Sequence, residues 1–202
     1  MTVYENYWIT PWIYRISNIY TLKYCKKASS LLPANIKNRK VVDIGTGLGN
    51  FANVMEEKGY KVFAIDSAMP MIKMARKILK NKKIKWIASD MINLPFKDAT
   101  FDISCSSFAI HNLTPKKMKQ GFLEMVRVSK KYIILIEHSM PKNPIHKWLM
   151  KYIEAFEKSY YYQFLSQDLR KWFKDNSLII ENEINLDGTN IFLLKKGHTN
   201  ER

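Results

Sequence analysis

Cysteine, glycine and proline are all scarce in this chain of 202 residues. The two cysteines, Cys25 and Cys105, form no C-x-x-C pair, so a disulfide framework is excluded. Seven glycines and seven prolines are too few for a long flexible linker. No apolar run reaches the ~20 residues that a membrane-spanning helix needs, and the first residues lack the pattern of a secretory signal. These absences predict a cytoplasmic protein that keeps its thiols reduced.

Acidic residues are outnumbered by basic ones, 18 against 33, which gives a formal net charge of +15. Such a charge favours either an anionic partner (a nucleic acid, a membrane surface or an acidic ligand) or only a lysine-rich solvated surface. From charge alone, the solvated surface is the simpler interpretation. The length and the hydrophobic fraction of 47% are typical of one globular domain and exclude a disordered or coiled-coil chain.

Five short apolar segments follow one another between residues 40 and 136, and most are separated by helical patterns. The predicted strands are 40–44, 61–65, 84–88, 101–106 and 132–136. The stretch between the third and the fourth is short and polar and carries no clear pattern. A helix is predicted to begin at Pro115, with Thr114 as its N-cap. Apolar strands joined by helical crossovers predict a parallel sheet that is covered on both faces.

The flanking regions have a different character. The first forty residues are aromatic and basic and predict one or two helices, and 141–164 predicts a helix-rich insertion. Ser166 or Asp168 is expected to cap a further helix. The apolar segments 178–180 and 191–194, joined by a turn at Asp187-Gly188, predict an antiparallel hairpin.

A glycine-rich turn, Asp43-Ile44-Gly45-Thr46-Gly47-Leu48-Gly49, follows the first strand and opens a helix. Glycines there allow a ligand to approach the backbone closely at the helix N-terminus, or they serve only tight helix–sheet packing. Asp66, 21 residues after Gly45, ends the second strand, where an acid can hold ribose hydroxyls. The third glycine comes one residue earlier than in a dinucleotide fingerprint, and no G-K-[ST] follows. Asp43 beside the turn disfavours a diphosphate and favours a cationic ligand.

These residues resemble the motifs of class I S-adenosylmethionine-dependent methyltransferases. The turn is similar to motif I, D-x-G-x-G-x-G; residues 64–71 resemble the second motif, residues 89–96 the third, and Phe101-Asp102 begins a stretch similar to the fourth strand. The resemblance covers about residues 35–137 and is greatest to the subgroup that methylates ubiquinone and menaquinone precursors. Thr46 departs from the pattern, since cysteine is common there.

The resemblance implies an α/β fold: a three-layer, Rossmann-like, seven-stranded and mainly parallel sheet, with an antiparallel C-terminal hairpin strand and a helical lid. It implies a single methyltransferase domain over 1–202. Its parts are an N-terminal helical lid (1–34), a cofactor-binding core (35–137), a helical substrate insertion (138–165) and a C-terminal helix with the hairpin (166–202).

The resemblance also implies the cofactor, S-adenosyl-L-methionine, and a set of residues around it. Asp43, Gly45 and Gly47 would line its methionine part, and Asp66 would bind the ribose hydroxyls. Adenine would be contacted by Ser67, by Ala68 or Met69, by the Asp90 carboxylate and by the Met91 amide, although Met69 is equally well explained as packing at a helix start. The remaining predicted contacts are Thr46, Gly49, Ser106 and Tyr14, with Tyr20 as an alternative to Tyr14.

Residues 106–113 follow the fourth strand and, in the family that the chain resembles, face the methyl group. Methyl transfer from a sulfonium needs a base only if the nucleophile must lose a proton, and His111 can serve as that base or can simply pack or cap. Cys105 lies within a strand without a preceding proline, which predicts a buried residue rather than a nucleophile. No metal site is predicted: His138 and His146 stand near Glu137 without the spacing of metal ligands.

The sequence therefore predicts a methyltransferase for a small, apolar, quinone-like or lipid-like acceptor. The two aromatic regions would form a lid, and the basic N-terminus would rest on an anionic membrane. An RNA methyltransferase is an alternative, disfavoured because the [ND]-P-P-[FYW] signature is absent. A cofactor-binding module without catalysis is a second alternative. The oligomeric state is left open.

Overall fold

The structure is a computed structural model that describes residues 11–36, 39–145, 147–148, 159–186 and 188–197, with side chains from Asn18 onward. Seven strands form one sheet: β1 Lys40–Ile44, β2 Lys61–Asp66, β3 Ile84–Ala88, β4 Phe101–Ser107, β5 Ser129–His138, β6 Leu178–Leu186 and β7 Thr189–Lys196. The helices are α1 Pro11–Ser29, α2 Asn50–Glu57, α3 Met69–Ile78, α4 Pro115–Val128, α5 Tyr161–Leu165 and α6 Leu169–Asp175, with a 3₁₀ turn at Ile110–Asn112.

The strand order is β3-β2-β1-β4-β5-β7-β6. Strands β1 to β5 run parallel, and β7 lies antiparallel between β5 and β6. The strand order reverses between β1 and β4, and ligands of such sheets bind outside the carboxyl ends of the strands at that point. The predicted seven-stranded, mainly parallel sheet with an antiparallel C-terminal hairpin is confirmed.

Two hydrophobic layers cover the sheet, which explains why the parallel strands are apolar without alternation. On one face, Val42 and Ile44 pack with Phe122 of α4 and Trp172 and Phe173 of α6. On the other face, Val41 packs with Cys25 of α1 and with Phe51 and Met55 of α2. The first helix therefore belongs to the core through its C-terminal half.

The five predicted central strands are confirmed, and three strands are longer than their apolar patterns. β5 begins at Ser129, ahead of the exposed Lys130 and Lys131, and both hairpin strands extend toward the turn. Polar residues at strand ends stay hydrogen-bonded while facing water, so hydrophobicity marks only the buried middle of a strand.

Asp168 is confirmed as an N-cap, because its side chain accepts a hydrogen bond from the Lys171 N–H at 2.9 Å. Thr114 holds the N-cap position of α4 without a side-chain cap bond.

The crossover from β3 to β4, residues 89–100, contains no helix. It is held instead by Arg127 of α4, whose guanidinium donates to the carbonyls of Leu94 at 3.1 Å and Phe96 at 2.7 Å. The same guanidinium is bound by Glu124, and Glu124 also accepts from the Leu94 N–H at 2.7 Å. Arg127, which is paired with Glu124 and with Asp98 of the crossover, therefore fixes a connection that is usually an α-helix.

The two predicted lid regions are described only in part. α1 supplies the described part of the N-terminal region, and α5 lies within the predicted insertion, whereas residues 1–10 and 149–158 lie outside the described residues. No helix in the described ranges is long and apolar enough to span a bilayer.

Candidate active site

The glycine-rich turn lies between β1 and α2, at the carboxyl edge of the sheet. Gly45, Gly47 and Gly49 all adopt positive φ, a conformation that L side chains rarely take. A Cβ on Gly45 would lie 2.4 Å from the Cβ of Ala109, so this glycine lets the loop after β4 approach the turn. A Cβ on Gly49 would lie 2.7 Å from the Trp86 ring, which makes Gly49 a packing residue between α2 and β3.

Asp43 is completely buried beneath this turn. Its Oδ2 accepts hydrogen bonds from the Thr46 hydroxyl at 2.6 Å and from the Ala52 N–H at 3.1 Å. Its Oδ1 has no partner among the described residues. Burial raises the pKa of Asp43 to about 7, although the bonds from Thr46 and Ala52 oppose the shift. A buried carboxylate with one oxygen still available is suited to a nearby positive charge.

Asp66, at the end of β2, links the turn to the neighbouring strand. Its Oδ2 accepts from the Gly47 N–H and its Oδ1 from the Ala68 N–H, both at 2.8 Å. Burial raises the pKa of Asp66, and these two backbone hydrogen bonds oppose the rise. The carboxylate is therefore held in one orientation at the rim of the cleft described next.

A small cleft opens at this edge. It is lined by Gly45, Asp66, Ser67, Ser89, Asp90, Met91, Ala109 and Leu113. Five of these residues were predicted as cofactor contacts: Gly45, Asp66, Ser67, Asp90 and Met91. Ser89, Ala109 and Leu113 were not predicted as cofactor contacts, although Ala109 and Leu113 belong to the stretch 106–113 that was expected to face the methyl group. No local pattern indicates that this loop closes on the turn after β1.

The other predicted cofactor residues do not line this cleft. Asp43 and Thr46 are buried beneath it, and Gly47 and Gly49 belong to the adjoining turn. Met69 is 46% exposed at the start of α3, and Ser106 is buried on β4 with no partner for its hydroxyl among the described residues. Tyr14 belongs to α1, but its side chain lies outside the described part of the chain.

His111 lies in the 3₁₀ turn after β4 and is buried. Its Nδ1 is 2.9 Å from Oε2 of Glu137, at the end of β5. The other carboxylate oxygen of Glu137 accepts from the N–H groups of Ala109 at 3.0 Å and Ile110 at 2.7 Å. One buried carboxylate therefore holds both the imidazole and the loop that lines the cleft.

Glu137 is ionised in this arrangement. Burial alone would raise its pKa, but His111, His138 and the Ile110 N–H bring the pKa below its usual value. Because an ionised carboxylate can only accept hydrogen bonds, it fixes the proton of His111 on Nδ1. Sequence reasoning missed Glu137; the available signal was an acidic residue inside an otherwise apolar strand.

A chain of aromatic ring contacts leads from His111 to both predicted lid regions. The His138 ring lies 4.6 Å from the His111 ring, 4.9 Å from Phe108 and 5.1 Å from Tyr161, measured between centroids. Phe108 also contacts Tyr24 of α1 at 5.8 Å. The imidazole is therefore enclosed by aromatic rings together with the Glu137 carboxylate.

Cys105 is confirmed as a buried strand residue, and burial raises the pKa of its thiol. A thiol in that state is a poor nucleophile. In the described ranges, no group of three or more His, Cys, Asp or Glu side chains is arranged to hold a metal ion.

Comparison with known proteins agrees with the geometry. Residues 41–132 match the family described as "Methyltransferase domain". The chain is 30% identical over 147 residues to a demethylmenaquinone methyltransferase of Paenarthrobacter aurescens, covering 66% of this chain and 56% of that protein. It is 26% identical over 155 residues to the enzyme of the same name from Renibacterium salmoninarum, covering 71% and 64%. The chain thus spans 56–64% of the length of these relatives.

Solved structures share the fold at lower identity. A protein from Pyrococcus horikoshii OT3 superposes with a TM-score of 0.70 at 22% identity, covering 96% of this chain and 99% of that one. Magnesium protoporphyrin IX methyltransferase from Synechocystis PCC 6803, determined with bound SAH, gives 0.66 at 16% identity, covering 91% and 84%.

The sheet order, the turn with its two acids and the domain match over residues 41–132 agree with the predicted resemblance to class I S-adenosylmethionine-dependent methyltransferases. Within that class its curated relatives include demethylmenaquinone methyltransferases, as the sequence resemblance predicted. The Synechocystis enzyme that shares this fold has been solved with bound SAM and with bound SAH, in agreement with the predicted cofactor. The described residues fit it, since Asp66 and Asp90 line the cleft beside Gly45, and Asp43 Oδ1 lies buried below the turn with no partner among the described residues.

Proposed function

We propose that this protein transfers a methyl group from S-adenosyl-L-methionine to a small, apolar, quinone-like or lipid-like acceptor. The observation that carries the proposal is the buried His111–Glu137 pair, which stands among aromatic rings on the loop that also lines the cleft. The names of the demethylmenaquinone methyltransferase relatives support a quinone-like acceptor.

Different residues at the cleft would contact different parts of the cofactor. Asp66 would bind the ribose hydroxyls, and Ser67, Asp90 and Met91 would surround the adenine. Gly45 and Gly47 would present backbone to the methionine part, with Asp43 as the buried negative charge near its cationic end. When bound, S-adenosyl-L-methionine supplies a methyl group on a positively charged sulfur. Met69, Ser106, Thr46, Gly49 and Tyr14 remain predicted contacts.

The chain itself would control the acceptor and its proton. Glu137 would orient His111 through Nδ1, and the imidazole would serve as the base that accepts a proton from a hydroxyl or an acidic carbon. The rings of Phe108, His138 and Tyr161 would pack against a flat acceptor and exclude water from it.

A peripheral membrane contact, with a cytoplasmic location, belongs to the same proposal. Ile145 is 76% exposed and Trp148 is 60% exposed, shortly after the carboxyl end of β5 where His111 is held. The exposed Lys142 and Lys147 accompany them. Apolar side chains flanked by lysines suit an anionic bilayer surface, from which an apolar acceptor would enter.

The test measures transfer of a labelled methyl group to a reduced quinone without its ring methyl, to a lipid extract and to RNA. We expect labelling of an apolar acceptor, and a 10²–10⁴-fold lower kcat in H111A and E137Q with little change in cofactor affinity. The matched control is E181Q, which removes an exposed carboxylate on β6. E137D should recover part of the activity.

Two outcomes would change the assignment. Full turnover in H111A would leave positioning alone as the source of catalysis. Labelling of RNA and of no apolar acceptor would favour the RNA methyltransferase, and tight cofactor binding without transfer to any acceptor would favour a binding module.

A further inference from the structure

Six basic residues gather at the end of the sheet opposite the cleft, where the parallel strands begin. This amino-edge patch consists of Arg39, Lys40, Lys61, Lys85, Lys130 and Lys131. All are exposed except Lys40, which is half-buried. The patch crosses five neighbouring strands, or roughly 19 Å at ~4.8 Å per strand.

Within the patch, like charges face each other directly. Lys40 and Lys61 are register partners in the β1–β2 ladder. The pKa of Lys40 is lowered, first by burial and then by the charges of Lys61, Lys130 and Lys85, against which Asp102 acts in the opposite direction. Like charges directly opposite each other destabilise a sheet. The arrangement therefore carries an electrostatic cost that an anionic partner would offset.

A β-bulge adds two further lysines to the patch. The β4–β5 register shifts between Phe101 and Ile103, which pair with Ser129 and Tyr132. Lys130 and Lys131 occupy the bulge and are both exposed. Bulges redirect side chains at sheet edges. Here the bulge exposes both lysines at the amino edge, and the charge of Lys130 acts on Lys40.

The aromatic rings of the patch are covered by its own cations. Lys40 Nζ lies 4.9 Å from the ring centroid of Phe101 and 5.1 Å from that of Phe63, and Lys85 Nζ lies 5.2 Å from Phe63. These rings hold the ammonium groups in place and offer no open face on which a base could stack. The patch thus presents point charges, which suit phosphates rather than bases.

The geometry points to the amino-edge patch as a docking surface for the phosphodiester backbone of a nucleic acid, bound without regard to sequence. A duplex carries one charge per ~1.7 Å of axis, so a length matching the patch carries about eleven phosphates. This goes beyond the proposed methyl transfer, because the docked nucleic acid lies at the opposite edge of the sheet from the cleft and is not the methyl acceptor.

The position of the patch favours a nucleic acid over a membrane. A bilayer at the amino edge would leave the cleft facing away from it, so it would not help an apolar acceptor to enter. The exposed apolar side chains that could enter a bilayer, Ile145 and Trp148, follow the carboxyl end of β5 instead.

The experiment measures binding of labelled RNA and DNA, single-stranded and duplex, by fluorescence anisotropy between 50 and 200 mM KCl. The patch variant carries K40Q, K61Q, K85Q and K130Q. The control carries K73Q, K116Q, K117Q and K174Q, four exposed lysines elsewhere with the same loss of charge. We expect wild-type affinity to fall about 10²–10³-fold across this salt range, for four to six phosphate contacts. We expect the patch variant to bind at least 10-fold more weakly than the control.

Calorimetric binding of S-adenosyl-L-methionine by both variants separates this test from that of the proposed function. If the fourfold variant fails to fold, K130E/K131E repeats the test with two exposed residues of the bulge. Equal losses in the patch and control variants would mean that only net charge matters and would overturn the proposal. Binding of anionic vesicles through the patch, with no salt-steep binding of nucleic acid, would also overturn it.

Discussion

Both carboxylate oxygens of Asp66 accept hydrogen bonds from backbone N–H groups, one in the turn and one at the start of α3. Asp66→Ala should weaken S-adenosyl-L-methionine binding by about 1–3 kcal/mol, roughly 5–150-fold, because a buried charged acceptor and the support of the turn are both lost. D66N, which keeps one acceptor, should fall in between. Isothermal calorimetry measures this, with Asp175→Ala, at an exposed position of α6, as the control. An unchanged affinity in D66A would place the ribose-binding acid elsewhere.

Asp43 makes stability depend on pH. Because its folded-state pKa of about 7 exceeds its usual value of 3.8, the native state holds the proton more tightly than the unfolded chain. Ionisation of Asp43 therefore costs stability as pH rises from about 4 to about 7. Asp43→Asn removes this titration. The melting temperature of D43N minus that of the wild type should therefore increase by about 2–4 °C or more between pH 4 and pH 7. A difference that stays constant with pH would show that Asp43 does not titrate there.

At the scale of elements, the turn after β1 and the loop after β4 touch through Gly45 and Ala109. Gly59, at the end of α2, also has positive φ, but its nearest neighbour would be the flexible end of Arg39 at 3.8 Å. Both Gly→Ala changes should cost about 1 kcal/mol of backbone strain. Only G45A should also displace the loop held by Glu137, and so lose at least 10-fold in cofactor affinity.

The double variant G45A/A109G tests the contact between residues 45 and 109, because it removes the Ala109 Cβ with which the new Cβ at position 45 would clash. We expect it to recover most of the cofactor affinity, measured by the same calorimetry, while thermal unfolding still reports the backbone strain. Equal affinities for G45A and G59A would mean that the contact with Ala109 does not shape the cleft.

For the whole molecule, a net charge of +15 and the facing Lys40 and Lys61 imply repulsion that salt should screen. The melting temperature should rise by a few degrees between 20 and 300 mM KCl. K61Q should show a smaller rise than the exposed-lysine control K174Q. A melting temperature that falls with salt would mean that attractive ion pairs dominate the surface.

The sequence predicted features whose signals are local. The central strands, the glycine turn and Asp66 follow from residue order over a few positions, because each signal lies within one strand–turn–helix unit. Glu137 and Ala109 could not be assigned in that way. The contact of Glu137 with His111 spans 26 residues, and that of Ala109 with Gly45 spans 64, so both depend on how β5 and the loop after β4 pack.

The same limit applies to the charges. Composition gave +15 but could not say where the cations gather, since strand register brings Lys40 to Lys61 and a bulge exposes Lys130 and Lys131. The polar stretch 89–100 carries no clear pattern in the sequence, and its support by Arg127 is visible only with α4 in place.

That support has a genetic consequence. Arg127 lines no part of the cleft, yet it holds the segment whose first residues, Asp90 and Met91, form one wall of it. A random mutagenesis screen for lost cofactor binding should therefore recover substitutions at Arg127 alongside those at the ligand-facing acids. Second-site suppressors of these Arg127 substitutions should map to residues 89–100. There, a proline or a shortened loop would restrict the backbone in place of the lost Arg127 guanidinium.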